Sequence, residues 1–243
     1  MSPAGIDTAV VLCGGRGTRL QEHAQAIPKP LVEVGGLPIV WHVVSILAAQ
    51  GVERVLLLAG YRSELVAAFA AAADWPGDVR VECVDTGPDT PTAGRIHAVA
   101  GLLGADRYFA AYGDGVADVD LAALARTHVE AEAVATLTVV RPELPFGVAV
   151  LDAAGRVTGF QEKPRAEHWV NGGFFACEPG LADYLGPDLM LEREPLERLA
   201  ADGGLHAYRH DGFWACMDTY KDAVRLNDLW ASGDAPWRTW VAA

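Results

Sequence analysis

The first half of the chain alternates between short apolar runs and longer segments in which apolar residues recur about every three to four positions. Thr8–Cys13 and Arg54–Ala59 are mostly apolar runs followed by glycine, which is typical of strands buried on both faces. Between them, residues 39–50 have the apolar spacing of a helix, with Pro38 in its first turn and Gly51 at its end. The alternation continues with predicted helices at 63–73, 94–103 and 121–130 and predicted strands at 79–84, 108–112 and 134–140. Strands that alternate with helices in this way predict a parallel, doubly wound sheet.

After Arg141 the pattern changes to shorter apolar segments separated by turn residues. Residues 147–151 and 157–161 are predicted strands, and the Asp-Ala-Ala-Gly sequence at 152–155 favours a tight turn between them. This half is expected to add antiparallel hairpins to the parallel sheet. Further helices are predicted at 195–201 and 220–230.

The chain has no evident internal boundary and ends in an aromatic tail. Trp237 and Trp240 in this tail are expected to pack back onto the protein or to contact a neighbouring subunit. Because no linker, repeat or low-complexity segment interrupts the chain, residues 1–243 are predicted to form a single domain. Its predicted class is α/β, Rossmann-like and doubly wound, with a mostly parallel sheet and added antiparallel hairpins.

The amino-acid composition of the chain excludes several classes of function. The 243 residues include 19 Lys and Arg against 32 Asp and Glu, a net charge of −13. Such an excess of carboxylates repels polyanions, so nucleic acid and membranes are excluded as partners. The four cysteines form no Cys-x-x-Cys pair and the first residues lack the pattern of a secretory signal, so a reducing, cytoplasmic location without zinc or disulfides is expected. No apolar run approaches the ~20 residues that a membrane span requires.

The strongest chemical pattern follows the first predicted strand, where the chain reads Leu12-Cys-Gly-Gly-Arg-Gly-Thr-Arg-Leu20, with Lys29 further on in Pro-Lys-Pro. In a glycine-rich turn, backbone N–H groups can approach phosphate oxygens, and arginine and lysine add the charge that a triphosphate requires. The segment is not a dinucleotide fingerprint, because Leu20 replaces the third glycine, nor a P-loop, because no Gly-Lys-Ser/Thr follows. A plain turn, the alternative, needs neither three glycines nor two arginines.

Asp114 follows the predicted strand at 108–112 and lies between two glycines. Ligands of parallel sheets bind at the carboxyl ends of the strands, so this carboxylate is suited to hold Mg²⁺. Asp218, which follows an aromatic run, is the best candidate for a second ligand. A turn or a helix N-cap is the structural alternative for either residue. Asp118 and Asp120 fit that alternative better, because they directly precede a predicted helix.

A third group of polar residues lies in the second half, in Phe160-Gln-Glu-Lys-Pro164 and Asn171-Gly-Gly-Phe-Phe175. Lys163 can neutralise a second phosphate, while Glu162 and Asn171 offer the acceptors and donors that sugar hydroxyls require. A charged hairpin end and a Gly-Gly bulge are the structural alternatives. Lys221, the third lysine of the chain, has only the interpretation of a solvated helix residue. Metal- and serine-hydrolase classes have no support, because neither His-Glu-x-x-His nor Gly-x-Ser-x-Gly occurs.

Taken together, these segments resemble the sugar-1-phosphate nucleotidyltransferases. The glycine-rich segment with Pro28-Lys-Pro30 is similar to the signature of that family, and the resemblance covers nearly the whole chain. The segments similar to the glucose-1-phosphate cytidylyltransferase branch are Val84-Asp-Thr-Gly87, Tyr112-Gly-Asp-Gly-Val-Ala-Asp-Val-Asp120, Gln161-Glu-Lys-Pro164, Asn171-Gly-Gly-Phe-Phe175, Glu192-Arg-Glu-Pro-Leu-Glu-Arg-Leu-Ala200, Tyr208-Arg-His-Asp-Gly-Phe-Trp214 and Met217-Asp-Thr219.

The resemblance implies a fold of the nucleotide-diphospho-sugar transferase type and attack of a sugar-1-phosphate oxygen on the α-phosphorus of CTP, releasing pyrophosphate and forming a CDP-sugar. Elementary chemistry agrees, because transfer between two anions needs alignment and charge neutralisation more than an activated nucleophile. The resemblance also implies Mg²⁺ as cofactor, and a homo-oligomer is expected. The implied roles are nucleotide binding for Leu12, Gly14, Gly15, Arg16, Gly17, Thr18, Arg19, Lys29, Thr90 and Arg95; catalysis for Arg19, Lys29 and Asp114; sugar-phosphate binding for Glu162, Lys163, Asn171, Gly172 and Gly173; and metal binding for Asp114 and Asp218.

Three departures from the cytidylyltransferase pattern keep alternatives open. Thr92-Ala-Gly-Arg95 replaces Thr-Gly-Gly-Arg, Pro145-Phe-Gly147 replaces Arg-Phe-Gly, and the segment at 69–84 is short. Because Thr-Ala-Gly resembles relatives that use GTP or UTP, one alternative is a guanylyl- or uridylyltransferase acting on another sugar-1-phosphate, such as a heptose. The other is a nucleotide-sugar binding module without catalysis.

Overall fold

The structure of the protein is a computed structural model that describes residues 5–15 and 27–240. Four of the predicted phosphate-binding residues, Arg16, Gly17, Thr18 and Arg19, lie outside the described residues. The other predicted site residues, including Lys29, lie within them. The account of the fold and of the site below therefore concerns the described ranges.

The described residues form strands, α-helices and two short 3-10 helices, at Lys29–Leu31 and Pro179–Tyr184. The strands are β1 (Thr8–Cys13), β2 (Glu33–Val34), β3 (Leu37–Pro38), β4 (Arg54–Ala59), β5 (Arg80–Asp85), β6 (Tyr108–Tyr112), β7 (Gly115–Ala117), β8 (Ala135–Val140), β9 (Val148–Leu151), β10 (Val157–Gln161), β11 (Val170–Cys177), β12 (Leu205–Arg209) and β13 (Trp214–Cys216). The α-helices are α1 (Ile39–Ala48), α2 (Ser63–Ala72), α3 (Thr92–Leu103), α4 (Leu121–Glu130), α5 (Glu194–Ala201) and α6 (Tyr220–Ser232).

Seven strands form the central sheet, in the order β12-β8-β11-β6-β1-β4-β5. The strands β6, β1, β4 and β5 pair in parallel, as the alternating pattern predicts. Strand β11 lies between β6 and β8 and is antiparallel to both, whereas β12 is parallel to β8. The predicted class, a mostly parallel doubly wound sheet with added antiparallel elements, is confirmed.

Strand β1 is buried on both faces, and its alternate side chains enter two different apolar clusters. Val10 and Leu12 pack with residues of α3 and α5, and Val11 packs with residues of α1, α4 and α6 on the other face. Because successive side chains of a strand point to opposite faces, a continuous apolar run is needed to fill both clusters. This requirement explains why β1 contains no charged residue.

The position of the site follows from the order in which the chain adds strands to the central sheet. From β1 the chain moves to β4 and β5 on one side, and then returns to place β6 on the other side of β1. The loops that follow β1 and β6 therefore diverge and leave a crevice at the carboxyl ends of these two strands, which is the usual ligand position in doubly wound sheets.

The second half differs from the sequence pattern in the position of its hairpin and in three strands that were not predicted, β11, β12 and β13. The predicted hairpin is present, but β9 and β10 form a separate two-stranded sheet instead of extending the central one. Strand β11 was not predicted, because Gly172 and Gly173 near its start read as a bulge. The structure contains both features: the pairing with β8 is irregular between Asn171 and Phe175, and a strand continues beyond it.

The aromatic tail packs back onto its own chain. The side chain of Trp237 is fully buried, stacks on Phe213 with ring centroids 5.5 Å apart, and donates a hydrogen bond to His42 Nδ1 at 3.3 Å. Trp240 meets Trp41 edge to face. Of the two expectations for the tail, the structure supports packing onto the protein itself. Among the described residues, no helix has both the length and the apolar character needed to cross a bilayer.

Candidate active site

A cavity of about 420 Å³ lies at the carboxyl ends of β1 and β6. It brings together residues that are distant in sequence, because the glycine-rich turn follows β1, one carboxylate follows β6 and the other follows β13. The predicted site residues that line this cavity are Leu12, Gly14, Gly15, Lys29, Arg95, Asp114, Asn171 and Asp218.

The ammonium of Lys29 lies between two carboxylates in this cavity. Its Nζ donates hydrogen bonds of 2.5 Å to Asp114 Oδ2 and 2.5 Å to Asp218 Oδ1, and only 13% of the lysine side chain is exposed. Burial lowers the pKa of Lys29, but the charge of Asp114 and the hydrogen bonds to both aspartates outweigh burial and raise it overall. The ammonium therefore stays charged and offsets the repulsion between the two carboxylates.

Local structure fixes both aspartates and removes the capping alternative for Asp218. Asp114 lies in the turn between β6 and β7, and its backbone carbonyl accepts a hydrogen bond of 2.9 Å from the N–H of Met217. The N-cap of α6 is Thr219, which forms a capping box with Asp222, so Asp218 is left for the cavity. Asp120 is the N-cap of α4, as expected.

The carboxylates also belong to a possible metal-binding group. One ligand atom each from Asp114, Cys216 and Asp218 lies within 4.8 Å of the others. Burial, followed by the charges of the two aspartates, raises the pKa of the Cys216 thiol, so this thiol is protonated while the site holds no metal ion. The two carboxylates are hard oxygen donors, which suit a hard cation such as Mg²⁺.

The buried side chain of Arg95 stabilises the glycine-rich turn through hydrogen bonds. Its guanidinium, on a residue only 4% exposed, donates hydrogen bonds to the carbonyls of Gly14, Ala59 and Gly87 and to the Thr86 hydroxyl, at 2.6 to 3.2 Å. A methyl group at position 14 would overlap this guanidinium, so glycine is required there to leave room for it. The sequence predicted Arg95 near the nucleotide; the structure adds that its hydrogen bonds tie together the loops after β1, β4 and β5.

Another wall of the cavity is a polar network of which the sequence analysis assigned only Asn171 to the site. Glu192 accepts hydrogen bonds from the hydroxyls of Tyr112, at 2.6 Å, and Thr92, at 2.7 Å. The Tyr112 hydroxyl in turn accepts a bond of 3.1 Å from the Asn171 amide. Tyr112 ends a predicted strand, and both Tyr112 and Glu192 lie in segments that resemble the family, but none of these signals indicates a contact between them.

The Asn171-Gly-Gly segment fixes the shape of this wall, because its polar groups bond to other groups of the protein. The Asn171 Oδ1 accepts the N–H of Gly173 at 2.8 Å, and the Gly172 carbonyl accepts the indole N–H of Trp214 at 2.8 Å. Gly173 has a φ of +79°, and a Cβ there would come within 2.7 Å of the Tyr112 ring. Glycine is therefore required at this position for both conformation and space.

The remaining predicted residues lie away from this cavity. Thr90 donates its hydroxyl to the Thr86 carbonyl at 2.5 Å and does not line the cavity. Lys163, with a φ of +46°, lines an adjoining second cavity of about 640 Å³. Glu162 precedes it at the end of β10 and lines neither cavity. Lys221, which the sequence left as a solvated residue, also lines the second cavity.

Comparison with known proteins identifies the family. The family model described as nucleotidyl transferase matches residues 8–206. A glucose-1-phosphate cytidylyltransferase from Salmonella typhi is 40% identical and the match covers 96% of this chain and 99% of the relative. A mannose-1-phosphate guanylyltransferase from Mycobacterium tuberculosis is 34% identical over 94% of this chain and 66% of its own length.

The fold agrees with this assignment. The crystal structure of HddC from Yersinia pseudotuberculosis superposes with a TM-score of 0.73 at 20% identity, covering 93% of this chain and all of that one. Proteins of the nucleotidyltransferase family take nucleotide and sugar-phosphate substrates and generally use a divalent metal ion. By sequence and by fold, the chain belongs to the nucleotidyl transferase family.

Proposed function

We propose that the protein transfers a cytidylyl group from CTP to glucose-1-phosphate, forming a CDP-sugar and pyrophosphate. The observation that carries the proposal is the meeting of a glycine-rich turn, a lysine ammonium and a pair of carboxylates in one cavity. This combination suits a triphosphate and its metal ion. The choice of CTP and glucose-1-phosphate rests on the relative that is 40% identical over nearly its whole length.

In the proposed reaction an oxygen of the sugar phosphate forms a bond to the α-phosphorus of CTP, while the bond from that phosphorus to the pyrophosphate oxygen breaks. Both reactants are anions, so the protein has to align them and reduce their repulsion. We assign the triphosphate to Leu12, Gly14, Gly15 and Lys29 and to the segment that contains Arg16, Gly17, Thr18 and Arg19, with Thr90 and Arg95 supporting it. We assign the sugar phosphate to Glu162, Lys163, Asn171, Gly172 and Gly173.

A divalent cation, Mg²⁺ in our proposal, fits the two carboxylates, because Asp114 and Asp218 already share one positive charge. When bound there, it supplies charge neutralisation for the triphosphate. Lys29 then has to leave the carboxylates, and its flexible four-carbon stem allows the ammonium to turn towards phosphate oxygens. In this proposal Lys29 stabilises the ligand-free site and binds the nucleotide in the loaded one.

A guanylyl- or uridylyltransferase is the second candidate. It is favoured by the Thr92-Ala-Gly-Arg95 segment and by the 34% identity to a mannose-1-phosphate guanylyltransferase. The full length of the match to the cytidylyltransferase makes CTP the first choice.

We also propose that the protein is a homo-oligomer in which the β9–β10 hairpin contacts a second copy. The hairpin region exposes large apolar side chains, among them Phe146, Val150, Leu151 and Phe160, each at least 57% exposed. Within the described part of the chain, β9 and β10 pair only with each other, so each has an open edge. An isolated two-stranded sheet is marginal, and pairing with a copy of itself would cover both the edge and the apolar face.

The purified protein with Mg²⁺, glucose-1-phosphate and one nucleotide at a time should release pyrophosphate with CTP. The measurement is the initial rate of pyrophosphate release with CTP, GTP, UTP and dTTP at equal concentration. Turnover with GTP or UTP but not with CTP would identify the second candidate and overturn the proposal. Absence of release with any pairing of these nucleotides with glucose-, mannose- or heptose-1-phosphate would leave a binding module.

Replacing Asp114 with alanine should reduce turnover by at least about 100-fold, because one of the two metal-binding carboxylates is lost. Circular dichroism should remain that of the wild type. Asp120→Ala is the matched control: it removes a nearby carboxylate that caps α4 and should lower the free energy of unfolding by about 1 kcal/mol while turnover is retained. Wild-type turnover in Asp114→Ala would remove this residue from the metal site.

Removing the ammonium of Lys29 should make the carboxylate pair more accessible to a cation when no nucleotide is present. Lys29→Met is expected to bind Mn²⁺, measured by electron paramagnetic resonance, about fivefold to tenfold more tightly than the wild type, because an internal competitor is lost. Lys29→Arg keeps the charge and should show no gain. Equal Mn²⁺ affinity in Lys29→Met and the wild type would contradict competition between the ammonium and the metal.

Light scattering on the purified protein should give a mass that is a multiple of 25.8 kDa. Phe160→Ser, which removes a highly exposed apolar side chain from the hairpin, should shift the mass towards the monomer. Leu102→Ser is the matched control, because Leu102 is also exposed but lies on α3. A monomeric wild type, or dissociation by Leu102→Ser alone, would exclude the hairpin as the contact.

A further inference from the structure

The second cavity continues from the first. Trp214, Cys216 and Asp218 line both, so a molecule that occupies the second cavity can extend to the carboxylate pair. The lining of the second cavity comes from residues 140–145, from Lys163 and Arg165, and from within residues 210–226, which include the first two turns of α6. It is therefore a chamber beside the site rather than a separate surface feature.

The wall that carries Lys163 is held by backbone pairing. Leu144 N–H donates to the Pro164 carbonyl at 2.9 Å, and Ala166 N–H donates to the Pro142 carbonyl at 2.8 Å. These bonds lie on either side of Arg165 and directly follow Lys163, whose φ of +46° is uncommon for a residue with a side chain. The backbone around this lysine is thus constrained by its neighbours instead of being a free hairpin end.

Helix α6 contributes two cations of the lining from one helix face. Lys221 and Arg225 are four residues apart on α6, so their side chains leave the helix on the same side. Lys221 is also three residues after Asp218, which links this face to the carboxylate pair. The capping box holds Asp222 against Thr219, so the intervening carboxylate is engaged with the helix end.

The lining of the chamber carries five cations and four carboxylates, in a protein whose net charge is −13. Of its acidic residues, Asp218 pairs with Lys29, Asp211 with Arg141 at 3.6 Å, and Asp222 with the helix cap. Within residues 5–15 and 27–240, no ion pair involves the remaining cations of the chamber. These are Lys163, Arg165, Lys221 and Arg225. In the same ranges, no ion pair involves Glu143 or Asp222 among the carboxylates of the lining, and Asp222 is bonded to the helix end.

We propose that Lys221, supported by Arg225, is a specificity-determining residue that binds the phosphate group of the sugar-1-phosphate together with Lys163. This inference rests on the proposed function and adds to it the cations of α6. A phosphate monoester carries about two charges near neutral pH, and one lysine compensates only part of that charge. Two further cations on a rigid helix supply the rest and select a phosphorylated sugar over a neutral one.

The test compares Lys221→Gln and Arg225→Gln in the full-length protein with Arg126→Gln. Arg126 is the matched control, because it is also an exposed helical cation but lies on α4, outside both cavities. Pyrophosphate release gives the KM for glucose-1-phosphate and for CTP. Isothermal titration without nucleotide gives the affinities for glucose-1-phosphate, glucose and inorganic phosphate.

Lys221→Gln is expected to raise the KM for glucose-1-phosphate about tenfold, with a smaller rise for Arg225→Gln, while the KM for CTP and the behaviour of Arg126→Gln stay at wild-type values. Glucose-1-phosphate should bind more tightly than inorganic phosphate to the wild type. Equal KM values in Lys221→Gln and Arg126→Gln would overturn the proposal, as would a loss of inorganic phosphate binding with an unchanged KM, which indicates a free-anion site.

Failure of this inference is distinguishable from failure of the proposed function. If the wild type turns over CTP and glucose-1-phosphate but Lys221→Gln has an unchanged KM, only the role of α6 is wrong. If the wild type turns over no combination of nucleotide and sugar phosphate, the proposed function is wrong. Weakened binding of glucose-1-phosphate to Lys221→Gln in titration would then still support the chamber as a phosphate-binding site.

Discussion

The ion pairs of Lys29 with Asp114 and Asp218 are the interaction on which the arrangement of the site depends. Two carboxylates at this distance repel each other, and the cost of bringing them together is offset by a cation between them. The fold supplies the three groups from separate parts of the chain: a short 3-10 helix carries the lysine, the end of β6 one aspartate, and the end of β13 the other. The strand pairing of β7 with β13 keeps the two aspartates together.

The global charge of the protein gives no indication of this site. A net charge of −13 opposes the approach of triphosphates and sugar phosphates, so the binding of either requires a local reversal of sign. In the described residues, five cations line the second cavity, and most of the carboxylates of the two cavities are bonded to lysine, arginine, hydroxyl groups or a helix end. Two of the three lysines of the chain line the second cavity and the third bridges the carboxylates in the first.

The features that could be predicted from the sequence are those encoded by residues that lie close together along the chain. The alternation of buried strands and amphipathic helices, the turn after β1 and the acidic residue after β6 are local patterns, and they identified the sheet and one edge of the site. The rest depends on contacts between distant segments. That Tyr112 contacts Glu192 follows from the packing of α3 against the segment before α5, and Lys221 lines the same cavity as Lys163 although the two residues lie in distant segments. Neither is encoded in a short motif.

The close approach of Arg95 to Gly14 has a consequence for how the two positions can vary. The guanidinium occupies the space that any side chain at position 14 would need, and it also bonds the loops after three strands. A substitution at either position alone therefore leaves an overlap or an unfilled, unsatisfied pocket. The two residues are energetically coupled, so that their effects on stability should not add and they should be exchanged only as a pair. The absence of a side chain at Gly14 thus serves the packing of Arg95 as well as the turn itself.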